Sequence, residues 1–448
     1  MRRRRGRRPD SGGPEASGRW GEWCGAAGAG RPAEVDALLR RLLALPAEGA
    51  ARERAAALAA LTAAPPRLLL LLDRAARTGG PVPAGAGDVL GLLLRSFAPD
   101  GHVREAAVAG LAGCGGPAAV AGLALRSADW VDAVRARATA ALVVRSAPEE
   151  VAAAVRVLLR LAGRSRTGDL LADYRRLLCR PPHRRAVRAL VVDADPAARR
   201  FGVVLALELG EYARGDLLRT ALRDRDQVCR TLCAQRLLDL DPEQAGRLLL
   251  ARDAAVREIA VAALPADVPA TRLVAPLADR ARMVRAQARW QLYGRGEPPS
   301  AVYRRQLGRA GRTTPVRLLA GLVAGLGECG DAGDVPALAR LLDPRRPSPP
   351  MVRRAAVRAV GRLAPQGELV GLLGPLAMDP DPGVARAVFE ALAARAPGEV
   401  PVEIRWIGGV RPEAAVRRAA ARIGAAKSPQ VRAVGGVPRY EQSGHSPR

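Results

Sequence analysis

One core spacing, with mostly apolar residues at offsets 0, 4, 7 and 8, recurs along this chain and constrains its fold more than any other feature. Six stretches carry it: Val103-Ala107-Gly110-Leu111, Val134-Ala138-Ala141-Leu142, Val256-Ala260-Ala263-Leu264, Val284-Ala288-Gln291-Leu292, Val352-Ala356-Ala359-Val360 and Val384-Val388-Ala391-Leu392. These offsets lie on one face of an α-helix. Looser copies open at Ala198, Val228, Val316 and Val416. Successive anchors are 31, 64, 30, 28, 28, 32, 36, 32 and 32 residues apart, and the double interval predicts one degenerate repeat near residues 160–190. A period near 31 holds two helices of about a dozen residues and two short turns. A pair that small cannot bury its own apolar face, and stacking the pairs makes one continuous core.

The 448 residues would suggest several domains by length alone, and the repeat overrules that estimate in favour of one array of about a dozen helix pairs. Composition agrees. Apolar residues make up 49% and aromatics only 3%, with Ala, Leu and Val dominant. Such residues favour helices that approach one another closely, so the expected fold class is all-α. The array is expected over residues 32–426. Residues 1–31 read as a disordered basic arm and 427–448 as a disordered tail, because neither carries the period. The segment DPRRPSPP at 343–350 lengthens one repeat and reads as a stiff extended loop.

Asp precedes Arg by four residues at Asp100/Arg104, Asp195/Arg199, Asp226/Arg230 and Asp253/Arg257. Each Asp is placed to cap the helix that follows it. Each Arg can reach an Asp of its own or a neighbouring repeat. With this feature the chain resembles the bacterial HEAT-repeat proteins, especially the short-repeat variety first associated with phycobilin lyases. The resemblance covers most of residues 32–426. It implies a right-handed α-α superhelix, Asp–Arg ladders between repeats and second helices that line a concave surface. Residues 143–190 depart from the pattern, and Val228 is followed by Arg236 at the final core offset.

The net charge is +27, of which the arm carries +5, the tail +3 and the body +19. Lys427 is the sole lysine. Arg for Lys, beside abundant Ala, Gly and Pro, fits GC-rich coding, but the surplus of bases over acids still points toward an acidic partner. The arginines directly after the anchors, Arg104, Arg135, Arg199, Arg257, Arg285, Arg317, Arg353 and Arg417, flank the core stripe and read as ladder residues. The next position points nearly opposite the core and holds Arg200, Arg230, Arg354, Arg386 and Arg418. With Arg358 and Arg422, the last repeats are expected to present a basic stripe of Arg354, Arg358, Arg386, Arg418 and Arg422, and Arg2, Arg3, Arg4 and Arg5 of the arm would add non-specific attraction. A merely solvated face is the competing reading of the stripe.

Catalytic signals are weak. His102, His183 and His445 are scattered, and no phosphate-loop, dinucleotide, metalloprotease or nucleophile-elbow motif is present. Trp130 and Asp132 superficially resemble the Trp and Asp of HEAT-like alkylpurine DNA glycosylases, but the spacing differs. A phycobilin-type lyase would share only the fold. Cys24, Cys114, Cys179, Cys229, Cys233 and Cys329 form no CxxC pair, so reduced, largely buried thiols are expected, with no metal and no cofactor. No secretory pattern opens the sequence and no apolar run is long enough to span a bilayer, so a soluble, cytoplasmic monomer is expected. The expected function is a non-enzymatic scaffold that holds a protein or peptide partner. The alternative is nucleic-acid binding through the arm and the stripe.

Overall fold

A computed structural model describes residues 14–78, 87–163, 168–265, 267–345 and 348–425. Among the described residues there are 26 α-helices, joined by turns and short 3-10 segments, and no strand. The chain divides into two compact units, residues 1–237 and 238–448. Each is a stack of helix pairs, so the all-α repeat fold expected from the period is the fold observed.

In the second unit the second helices of successive pairs pack in order. Val316–Cys329 lies against Pro350–Leu363, which lies against Pro382–Arg395, which lies against Ala414–Ala425. Small residues permit the approach: a methyl on Gly327 would sit 2.5 Å from the Ala359 Cβ, and one on Gly361 would sit 2.8 Å from that of Ala391. The core runs along this contact. Val134, Val256, Val284, Val352 and Val384 are fully buried, as are their partners four residues on, Ala138, Ala260, Ala288, Ala356 and Val388. Val103 is half-buried.

Asp100, Asp195, Asp226 and Asp253 each accept backbone N–H bonds at the start of a second helix, as expected. Asp381 does the same for Val384. No single helix among the described residues is long and apolar enough to cross a membrane.

Three expectations are corrected. The arm is not unstructured through residue 31: Pro14–Gly28 is a helix, and Trp20, Cys24 and Ala27 are buried in the core. Trp20 meets Trp23 edge to face at 5.0 Å, and the Arg41 guanidinium lies 4.5 Å over the Trp23 ring. The repeat at Val228 is out of register by one. Val228 is 40% exposed, whereas Cys229, Cys233 and Leu237 are buried and form the 0, 4, 8 face. Val316 is also exposed, and Arg317 beside it leaves the ladder for solvent. The irregular stretch 143–190 contains Pro148–Leu161 and then Gly168–Leu178 and Arg184–Val191, a short pair where the degenerate repeat was expected. Arg2, Arg3, Arg4, Arg5, the tail 427–448 and part of the 343–350 loop lie outside the described residues.

Candidate functional site

The ladder is the frame on which the surface is built. Arg257 uses Nε and Nη2 to hold Asp279, at 2.7 and 2.9 Å, and donates Nη1 to the carbonyls of Ala251 and Arg252. Arg104 does the same with Asp129 and with the Ala98 and Pro99 carbonyls, and Arg353 with Asp379 and Ser348. Arg54 with Asp88 extends the ladder upstream of the first recognised anchor. One guanidinium thus closes the turn before its own helix and grips an acid of the next pair, a bidentate geometry suited to Arg.

In the rungs of Arg104, Arg199, Arg257 and Arg353 the acid is not the cap residue but one close before it, whereas Asp88 both caps Val89–Arg95 and answers Arg54. Asp129, Asp224, Asp279 and Asp379 each accept a backbone N–H or stand beside the capping turn as ladder partners. Burial pushes the Asp279 carboxyl up, but the Arg257 hydrogen bonds and backbone N–H of Ala281 outweigh it and leave it below the usual carboxylate range. The sequence predicts an Asp partner in the same or a neighbouring repeat but does not say which residue it is. The D-x-D spelling marks it at Asp193/Asp195, Asp224/Asp226 and Asp379/Asp381, while Asp129 and Asp279 stand without it.

Arginines outside the ladder form the candidate site. In the second unit a groove of about 880 Å³ runs over the helices Val316–Cys329 and Pro350–Leu363. Seven arginines line it against two acids. Arg257 and Arg285 are spent on those acids, Asp279 and Glu328. Arg317, Arg354 and Arg362 form no ion pair among the described residues, and Arg317 and Arg362 are exposed. Burial lowers the Arg358 pKa from its ordinary value; Glu390 opposes the shift, and the neighbouring Arg354, Arg362 and Arg386 charges add to it. Apolar side chains share the walls, among them Leu250, 85% exposed, Leu318 and Met351.

The structure brings only part of the expected stripe together. Arg354 and Arg358 line the groove with Arg362 and Arg317, which the sequence reading assigned elsewhere or left out. Arg386 lies outside it, 2.7 Å from Glu390, an acid that also stands 4.0 Å from Arg358. Arg418 and Arg422 are exposed on the adjoining helix, Ala414–Ala425. Arg200, expected on an open face, is held by Asp226 through Nε at 2.9 and 3.0 Å, and Arg230 donates to the Asp224 and Arg225 carbonyls. Trp130 is half exposed, with the guanidiniums of Arg77 and Arg104 over its ring at 4.0 and 4.4 Å.

No family model matches the chain, and no curated protein matches it. Among solved structures it is similar to an engineered protein, at 19% identity and a TM-score of 0.26, over 88% of this chain and 98% of that one. It is similar to the karyopherin Kap121p, solved with the extreme C-terminus of the protein phosphatase Cdc14p, at 14% identity and a TM-score of 0.27; 88% of this chain aligns with 46% of that one. It is also similar to a chain from a study of tubulin recruitment by microtubule polymerases with TOG domain arrays, at 11% identity and a TM-score of 0.23, over 89% and 91%. The HEAT-like reading of the fold rests on the helix pairs and the ladder themselves.

Proposed function

We propose that the protein is a non-enzymatic scaffold whose second unit holds an acidic, amphipathic segment of a protein partner. The observation that carries this reading is the groove in which Arg317, Arg354 and Arg362 stand unpaired beside apolar walls. Unpaired guanidiniums attract anionic groups, and the exposed Leu250 and Met351 with the half-buried Leu318 supply apolar contact area that a phosphate backbone would not use. A sugar-phosphate partner would favour a continuous basic track with stacking aromatics. The Asp–Arg ladder also supports membership in the short-repeat bacterial HEAT variety, and in that reading the chain binds without a cofactor.

Fluorescence anisotropy of a labelled Glu-rich helical peptide with Leu at i, i+3 and i+4 tests the proposal against duplex DNA and RNA of similar charge. The peptide should bind saturably, and R317Q/R354Q/R362Q should weaken it at least about tenfold, near 1.4 kcal/mol. The variant should melt like the parent, because Arg317 and Arg362 are exposed, Arg354 is half-buried and none of the three is held in an ion pair among the described residues. Tighter binding of duplex, or a variant that binds the peptide as well as the parent, would replace the peptide reading.

A further inference from the structure

A second charged cavity lies in the first unit, apart from the groove above. It holds about 510 Å³ beside the helix Arg67–Thr78 and the C-terminal end of Pro117–Arg126. Four arginines line it, Arg67, Arg74, Arg77 and Arg126, against Asp73 and Asp129. The rest of its wall is largely apolar and includes Leu70, Leu71, Leu125 and Trp130.

The two acids are already heavily used. Asp129 accepts from Arg104 through both oxygens, at 3.0 Å each, from Arg126 at 2.9 Å and from the Val131 N–H. Asp73 accepts from Arg126 at 2.5 Å and from Arg77 at 3.1 and 3.2 Å. Arg126 is 1% exposed, yet its Nε finds no hydrogen-bond acceptor, and neither does the buried Nη1 of Arg77. Arg67 and Arg74 are exposed and form no ion pair among the described residues. Buried donors without acceptors are unfavourable, and they are most so on a charged group. The lining residues therefore carry two positive charges in excess, with donor atoms left over, around a space of ligand size.

We propose that this cavity binds a small organic phosphate, its dianionic head among Arg67, Arg74, Arg77 and Arg126 and its organic part against Trp130 and the leucines. A phosphomonoester carries close to two negative charges at neutral pH, which matches the surplus. Guanidinium forks suit its oxygens better than a point charge would. A bare inorganic anion would leave the apolar wall unused.

Isothermal titration of the full chain with phenyl phosphate, inorganic phosphate and phenol tests this. Phenyl phosphate should bind at one site, about tenfold or more tighter than inorganic phosphate, and phenol should not bind. R67Q/R74Q removes two charges that no fold contact uses; it should keep the parent melting curve in ligand-free buffer and lose at least tenfold in affinity. Phenyl phosphate should also change the tryptophan emission of the parent, and W130F should abolish that change, which places the ligand at this wall. Absence of binding at millimolar phenyl phosphate, equal affinity for inorganic phosphate, an R67Q/R74Q variant that binds like the parent, or an emission change that survives W130F would each overturn the proposal. None of these outcomes depends on the groove of the second unit, whose peptide assay is separate.

Discussion

Arg285 and Glu328, 43 residues apart in sequence, form a buried pair between two helices, and Arg289 completes it from the same side at 2.7 Å. Elsewhere in the second unit the ladder acid, Asp279 or Asp379, stands in the turn before the next second helix; here it stands at the far end of that helix, Val316–Cys329. One carboxylate thus answers two guanidiniums at the floor of the arginine groove.

Removal of that carboxylate should be costly to the fold. Glu328→Gln leaves Arg285 and Arg289 buried without their acid, and breaking such a pair typically destabilises by about 3 kcal/mol. Arg257→Lys, which keeps the charge but loses the fork to Asp279, should lose less, about 1–2 kcal/mol. Urea midpoints of the two variants, compared at pH 7, give the order.

Val256→Asp tests the core register. Val256 is fully buried at the start of the helix Ala254–Ala262. An unpaired carboxylate there should destabilise by about 4 kcal/mol or more. Val228→Asp, at an exposed position one residue from the true anchor Cys229, should change the melting temperature far less. Equal losses would refute the one-residue correction.

Acid should unfold the array through its ladder carboxylates. The Arg200 hydrogen bonds, opposed by burial, lower the Asp226 pKa to about 2, and Asp88 beside Arg54 is lowered in the same direction. Burial raises Asp129, Asp279, Glu328 and Asp334, but their guanidinium partners more than reverse it. A group whose folded pKa is depressed stabilises the fold fully above its unfolded pKa, near 4, and loses that contribution as pH falls toward the folded value. Stability should therefore hold from neutrality to about pH 5 and fall steeply between about pH 4 and 2. Circular dichroism melts across that range check the sign.

The thiols should be slow to react. Burial pushes Cys229 up to about 11 and Cys233 up to about 12, with Cys24 at about 11, and all three side chains are buried. The thiolate is the reactive form. Iodoacetamide at pH 8 should leave these three unmodified in the native protein and label them in urea, as mass spectrometry of the tryptic peptides would show.

The fold was legible because Val and Ala at fixed offsets report a buried helical face directly. The same offsets mislead where two apolar residues are adjacent, as at Val228 and Cys229, since either can open the stripe and only packing chooses. The helix at 14–28 was hidden by a Gly- and Arg-rich sequence without the period, and Trp20 and Trp23 dock it through tertiary contacts. The candidate site was legible in part. Helical geometry placed Arg354 and Arg358 on an outer face, but Glu390 answers Arg386 from its own helix and reaches toward Arg358 across a helix boundary. Nor could offsets within one helix show that Arg317 leaves the ladder. That depends on where its helix begins, which Pro315 sets.

The double duty of the ladder arginine bears on how such a chain can change length. Arg257 secures the turn that precedes it and the pair that follows it, and Arg285 repeats the first bond on the Asp279 carbonyl before gripping its own distant acid. Excision of residues 257–284 would set Arg285 where Arg257 stood, with the Ala251 carbonyl within its reach and Glu328 still downstream. A cut of any other length would leave a guanidinium and a turn mismatched. Duplication and loss in whole periods are therefore the rearrangements that this architecture absorbs, and even the lengthened turn before Pro350–Leu363 keeps its ladder bond, from Arg353 to the Ser348 carbonyl.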